Sequence, residues 1–204
     1  AAFKSVAADA EIELRLAQKD PNGNCTNGID RIFSKETYTG EDGSKHNQRP
    51  RNKYLNIWVV KDIASGAAGY TYLPGSVQSW PSDDGIMILH SYVGSIGTGG
   101  PYTDGALTHE VGHWSNLYHP WGGTNQPGVS CGTDYVNDTP ETEGWTSCNL
   151  NGSVCNPPVI ENVQNFMDYQ SGARLYCRTK FTAGQKKRMR DIISFYRSSF
   201  YNQG

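Results

Sequence analysis

The chain is 204 residues long, with 36% hydrophobic and 19% charged residues, which allows one domain with a buried core and excludes a disordered polyelectrolyte. A formal net charge of -2 provides no global field to recruit nucleic acid or an anionic membrane surface, so partners of those kinds are not expected. No apolar run approaches the ~20 residues of a membrane span, and 23 Gly with 10 Pro point to an architecture carried largely by loops. The opening residues Ala1 to Lys4 lack the apolar core of a signal peptide, as in a processed chain.

In chain order, Glu11 to Ala17 alternates polar and apolar residues, with Ile12, Leu14 and Leu16 on one side, which predicts a strand with one wet face. Asp20-Pro21-Asn22-Gly23-Asn24 ends it with turn residues, and Gly40 to Arg51 reads as a polar loop. Tyr54 to Val60 is apolar enough for an inner strand, and Ala67 to Leu73 and Gly85 to Tyr92 are further strands bounded by Gly and Pro. After the glycine-rich stretch Gly94 to Thr103, either Thr103 or Asp104 can cap a helix carrying Ala106, Leu107, Val111 and Trp114. From Tyr118 to about Gln170 there is almost no periodicity. Thr182-Ala183-Gly184-Gln185 then supplies a capping box, and a last helix is predicted to about Phe200. Its Lys186, Lys187, Arg188 and Arg190 read as a solvated face.

Chemistry concentrates in His109-Glu110-Val111-Gly112-His113-Trp114-Ser115-Asn116-Leu117-Tyr118-His119. Residues four apart on a helix lie about 40° from each other around the axis, so His109 and His113 address one point. Glu110 is turned aside by one step, within reach of a water on a metal held there. His119 would leave that face if the helix continued. Asn116 tolerates the left-handed conformation, so it can end the helix and return His119 to the metal, with Pro120 discouraging further helix. Three imidazoles and one open position describe a catalytic zinc rather than a structural one. His46 and His90 lack such spacing and read as ordinary residues.

The five cysteines, Cys25, Cys131, Cys148, Cys155 and Cys177, avoid the spacing of a zinc ribbon or a redox pair. Four follow the histidine motif in a region poor in periodicity, where disulfides would staple a weakly cored lobe in an oxidising compartment. Spacing alone leaves three connectivities for these four, and Cys25 stands apart.

The histidine motif resembles that of the metzincin metallopeptidases. Asp134 to Pro140, Asn165-Phe166-Met167-Asp168-Tyr169 and Phe181 to Gln185 resemble the pappalysin, or ulilysin-like, branch, with similarity along most of the chain. Metzincins usually carry Gly at the position of Asn116. The resemblance implies Met167 as the methionine of a tight turn beneath the metal and Tyr169 as the residue that steadies an oxyanion. It pairs Cys131 with Cys155 and Cys148 with Cys177, and it implies a structural calcium for which Asp134, Thr139 and Asp138 are candidate ligands. Relatives that cut beside Lys or Arg place an acid shortly before the last cysteine. Ala173-Arg174-Leu175-Tyr176 offers none, so a basic preference does not carry over. Ala1 falls after the strand and long helix with which family domains usually begin.

The expected fold is a single α+β domain over 1–204. An upper lobe, to about residue 119, has a twisted mixed sheet with the active-site helix against it, and a lower lobe, about 120–204, is irregular, disulfide-tied and ends in a helix. The expected activity is that of a secreted, monomeric zinc-dependent endopeptidase with Glu110 as general base. It would act on protein or peptide substrates that pair with a sheet edge near Ile86 to Ser91. The competing readings are a zinc-binding module without turnover and a zinc hydrolase of non-peptide bonds.

Overall fold

The computed structural model describes residues 9–94, 96–100, 103, 105–169 and 177–197. Three short strands form a mixed sheet: β1 (Ile57–Val60), β2 (Gly69–Tyr70) and β3 (Ile86–Leu89). β3 lies in the middle, parallel to β1 with Ile57 opposite Ile86, and antiparallel to β2 with Gly69 opposite Ile88. Ile86, Met87 and Ile88 are fully buried, as an unbroken apolar run covered on both faces should be. Ile86 and Ile88 meet the helix α1 (Gly105–Trp114) through Ala106, Val111 and Trp114, while Met87 faces Val60 and Ile63 on the other side.

Two expectations about strands are corrected. The segment Glu11 to Ala17 forms no strand, because no neighbouring strand takes its backbone bonds, and Leu14 and Leu16 stand 51% and 65% exposed. Its alternating pattern is used only at Ile12, which packs between the Trp114 and Ile193 cluster and the Leu117, Met167 and Met189 cluster. The sheet edge is not at Ile86 to Ser91 either: β3 is flanked on both sides, and the edge strands are β1 and β2. His90–Tyr92 already turns away as a 3-10 helix.

Helix α1 ends as the sequence predicts. Asn116 takes φ +68, its N–H donates to the His113 carbonyl at 2.8 Å, and Leu117 N–H donates to Gly112 O at 2.9 Å. These two reversed bonds form a Schellman termination. Thr103 does not cap α1 through its hydroxyl, which bonds the backbone of Gly100 instead, and Asp104 lies outside the described residues.

Between α1 and α2 (Ala183–Tyr196) the described chain has turns and isolated bridges but no helix or strand. Disulfides Cys131–Cys155 and Cys148–Cys177 close this region, and Cys25 is free and exposed. Inside it, the buried Glu161 carboxylate accepts from Val154 N, Cys155 N and Trp145 Nε1 at 2.7 to 3.1 Å, and from the Thr142 hydroxyl. One side chain thereby gathers loops that share no ladder. Helix α2 starts with the predicted capping box of Thr182 and Gln185 and ends at Tyr196, with Arg197 as its C-cap; Phe200 lies outside the described residues.

The basic face of α2 is not simply solvated. Lys186 at 2.6 Å and Arg190 both hold Glu11, and Arg188 donates to the Asp134 and Tyr135 carbonyls, so this face clasps the N-terminal segment and the lower-lobe loop. At the far end, Arg197 is 3% exposed and makes a forked pair with Asp84, itself 1% exposed, at 2.8 and 2.9 Å, and its guanidinium lies 3.9 Å over the Trp114 ring. The C-cap of α2 is thus fastened to Asp84, two residues before β3, and to the end of α1. Asp84→Ala leaves this guanidinium buried without its counter-charge and is expected to destabilise the protein by ~3–5 kcal/mol. Urea unfolding with both disulfides intact measures it, and a loss below ~1 kcal/mol would show the pair to be dispensable.

Candidate metal centre

His109 and His113 stand one turn apart on α1, and His119 returns after the Asn116 turn. The Nε2 of His113 lies 3.0 Å from that of His109 and 3.1 Å from that of His119. Each ring is oriented from behind by a backbone carbonyl: Phe166 O at 2.7 Å from His109 Nδ1, Leu117 O at 2.7 Å from His113 Nδ1, and Thr124 O at 2.8 Å from His119 Nδ1. A carbonyl can only accept, so each Nδ1 carries the proton and each Nε2 presents a lone pair to the common centre.

Three lone pairs facing one another in a buried site repel unless a cation lies between them. Protons do not fill that role. Burial first, then its neighbouring imidazoles, holds His109 well below the ordinary histidine range, and burial pulls His113 down to about 4 and His119 to about 3. Neutral imidazoles with outward Nδ1–H groups are the donor set zinc takes, and the nitrogen spacing is within a few tenths of an ångström of the ~3.3 Å between ligands of a tetrahedral zinc. Among the described residues this is the one cluster of three metal-ligating side chains.

Glu110 is 8% exposed, and burial pushes its carboxyl up to about 8. The edge strand β2 backs it closely: a Cβ on Gly69 would lie 3.3 Å from Glu110 Cγ and 3.2 Å from the Met87 carbonyl. Glycine there lets the strand pass beside the carboxylate. Met167 is fully buried beneath α1, where a Cβ on Gly112 would come within 2.2 Å of its sulfur. Its N–H is held by Asn165 Oδ1 at 2.9 Å. The ring of Tyr169 lies 4.6 Å from that of His119 and 5.5 Å from that of His109, and burial, with Glu110 adding to it, raises its phenol to about 12.

The sequence-predicted residues His109, Glu110, His113, His119, Met167 and Tyr169 are therefore in one place. The calcium candidates part company. Asp134 is 1% exposed with Thr139 against it, and its carboxylate accepts from Val136 N and Gln185 Nε2. Asp138 spends one oxygen on the Thr182 hydroxyl and the other on Gly184 N, at the start of α2. His46 pairs with Glu36 and His90 with Thr98, away from the centre. Residues 173–176, expected near a pocket floor, lie outside the described residues.

Two neighbours were not legible in the sequence. Trp121 stacks on His119 at 4.6 Å and 4°, and its Nε1 donates to the same Thr124 carbonyl that orients His119. Asn125 accepts from the Tyr169 hydroxyl at 3.2 Å. Neither stands in a motif, since a backbone carbonyl and a loop amide leave no spacing to find.

Comparison with known proteins places this geometry among metallopeptidases. The family model Peptidase_M43, described as pregnancy-associated plasma protein-A, matches residues 37–194, and the chain belongs to that family. An extracellular metalloprotease of Neurospora crassa is 36% identical over 156 residues, covering 72% of this chain and 50% of that protein. One from Colletotrichum graminicola is 38% identical over 154 residues, covering 72% and 51%. The chain spans about half the length of these curated relatives. Mature mirolysin of Tannerella forsythia in complex with a cleaved peptide superposes with a TM-score of 0.77 at 33% identity, covering 98% of this chain and 78% of that one, so the fold is the metzincin fold expected.

The buried carboxyl makes a test in metal-free protein. The folded value of Glu110, about 8, lies above its unfolded value of 4.5, so its contribution to stability is present at low pH and lost as pH rises through about 8. Relative to Glu110→Gln, which does not titrate, the metal-free wild type should lose a few kcal/mol between about pH 5 and 8.5, at ~1.4 kcal/mol per pKa unit. Urea unfolding of both proteins at the two pH values measures the difference, and one independent of pH would contradict burial as the cause.

Proposed function

We propose that the chain is the catalytic domain of a secreted zinc-dependent endopeptidase, working as a monomeric single domain of two lobes. One observation carries the reading: three imidazole Nε2 atoms converge, that of His113 lying 3.0 Å and 3.1 Å from the other two, beside the buried carboxyl of Glu110. Membership of a peptidase family supports the chemistry, and the extracellular relatives support the location.

His109, His113 and His119 hold the ion, their tautomers already set by Phe166, Leu117 and Thr124. Zinc, when bound, supplies a Lewis acid that polarises the scissile carbonyl and makes water a nucleophile at neutral pH. Glu110, as a carboxylate, would take the proton of the attacking water and deliver it to the leaving amine. The Tyr169 hydroxyl donates to the oxygen that gains charge as the carbonyl becomes tetrahedral. An extended peptide pairs with the outer edge of β2, the edge strand whose Gly69 lies against Glu110, rather than with β3. A calcium ion draws on Asp134 and Thr139 and leaves Asp138 to α2; restoring calcium to chelated protein should raise its thermal midpoint, and an unchanged midpoint removes calcium from the reading.

The reaction itself is tested with Glu110→Gln. The variant keeps about one zinc per chain and loses turnover of a peptide library by about 10²–10⁴-fold, while stripping zinc from the wild type abolishes cleavage and returning it restores it. A Gln variant that cuts at the wild-type rate overturns the role of Glu110. A wild-type chain that binds zinc and cuts nothing overturns the peptidase reading.

A further inference from the structure

Tyr169 is held differently from the metal-binding imidazoles. Each histidine is fixed by a backbone carbonyl, whereas the phenol bonds a side chain, Asn125 Oδ1 at 3.2 Å, on an exposed stretch of loop. That loop is already committed to the site. Thr124 O, one residue earlier, accepts from both His119 Nδ1 and Trp121 Nε1, and Trp121 packs edge-on against Tyr169 with ring centroids 5.2 Å apart. Residues 121–125 therefore orient the third imidazole with one backbone atom and reach the phenol with the next side chain.

The bond as it stands is the wrong one for turnover. A phenol has one proton, and while it is donated to Asn125 it is not available to an oxygen developing charge on substrate. A carboxamide, unlike a carboxylate, offers a donor at nearly the same place as its acceptor. Turned by half a rotation, Asn125 donates from Nδ2 to the Tyr169 oxygen, keeps the ring in position and frees the phenolic proton to point at substrate, while the bond it donates makes that proton a stronger donor.

We propose that Asn125 is the positioning residue of Tyr169: it accepts the hydrogen bond of the phenolic O–H in the resting site and, by reversing its amide, frees that O–H to donate to the tetrahedral oxygen during peptide hydrolysis. The inference rests on the role given to Tyr169 above. Nothing covalent is added, and the single proton shared by phenol and substrate oxygen returns to the phenol when the products part.

The experiment is a double-mutant cycle on the zinc-loaded chain with Asn125→Leu, Asn125→Asp and Tyr169→Phe, with zinc content and thermal midpoint recorded for each. Asn125→Leu, close in shape and without polar atoms, is expected to lower kcat about tenfold with KM within about twofold, and to have no further effect in the Tyr169→Phe background. Asn125→Asp can only accept, so it should lose at least as much kcat as Leu. A residue that merely supports the loop would be rescued by Asp, which makes the same bond as the resting amide. Equilibrium binding supplies a readout apart from turnover: a phosphinic peptide mimicking the tetrahedral state should bind Asn125→Leu about tenfold more weakly, and the product peptide equally well.

The outcomes separate the two levels of the argument. If Tyr169→Phe is fully active, the role of the phenol falls and that of Asn125 with it. If Tyr169→Phe is impaired while both Asn125 variants match the wild type, or while their losses add in full to that of Tyr169→Phe, the phenol acts without Asn125 and this inference is overturned. An Asp variant at the wild-type rate overturns the amide reversal.

Discussion

Everything at the centre depends on fixing three imidazole tautomers at once. A histidine presents an Nε2 lone pair reliably only if its Nδ1–H has an acceptor, and here the acceptors are carbonyls from three separate segments: Leu117 just past α1, Thr124 in the following loop, and Phe166 some forty residues later. The helix must therefore stop after His113, the chain must reverse, and a distant turn must be brought under α1. The Asn116 termination does the first two. Its backbone bonds to His113 and Gly112 bring Leu117 to the helix end, where its carbonyl meets His113 Nδ1, so the device that ends the helix also orients a ligand.

The third requirement explains much of the lower lobe. Phe166 reaches His109 only because Met167 packs directly under Gly112, a contact that a single Cβ would abolish. The turn around Met167 is in turn held by Asn165, whose Nδ2 donates to Gln185 Oε1 at 2.9 Å, and Gln185 Nε2 bonds Asp134 at 3.1 Å. A fully buried glutamine thus joins the turn, the loop after the histidines and the start of α2. Without ladders to share, this lobe is organised by such polar side chains and by two disulfides, which restrict the unfolded chain where apolar burial is sparse.

The parts legible in the sequence are those with a period or a fixed offset. His109, His113 and Glu110 follow from helical spacing, Asn116 from its tolerance of positive φ, and α2 from its capping box. The strands Tyr54 to Val60 and Gly85 to Tyr92 were found with ragged ends. What misled was pattern without context. The alternation at Glu11 to Ala17 satisfies a strand template, yet a strand needs a neighbour, and the segment is instead held by Ile12 and by the Glu11 clasp to Lys186 and Arg190. Likewise an edge near Ile86 to Ser91, expected from relatives, conflicts with the burial of Ile86 to Ile88 on both faces, which is the mark of a central strand; β1 and the glycine-containing β2 are the edges. Asp138, a calcium candidate only through the family resemblance, accepts from the Gly184 N–H and the Thr182 hydroxyl at the start of α2, contacts that no motif announces.

The site divides into a rigid part and an adjustable one, and the division follows the kind of atom that makes each contact. Backbone carbonyls cannot change from acceptor to donor, so groups anchored to them keep one protonation state and one direction through a reaction cycle. That suits ligands, whose lone pairs must stay aimed. Side-chain amides can reverse, and among the described residues a contact of that kind at the centre is made by Tyr169, whose hydroxyl donates to Asn125 Oδ1. Glu110 lies between these extremes: it packs against Gly69, and burial pushes its carboxyl toward the neutral form.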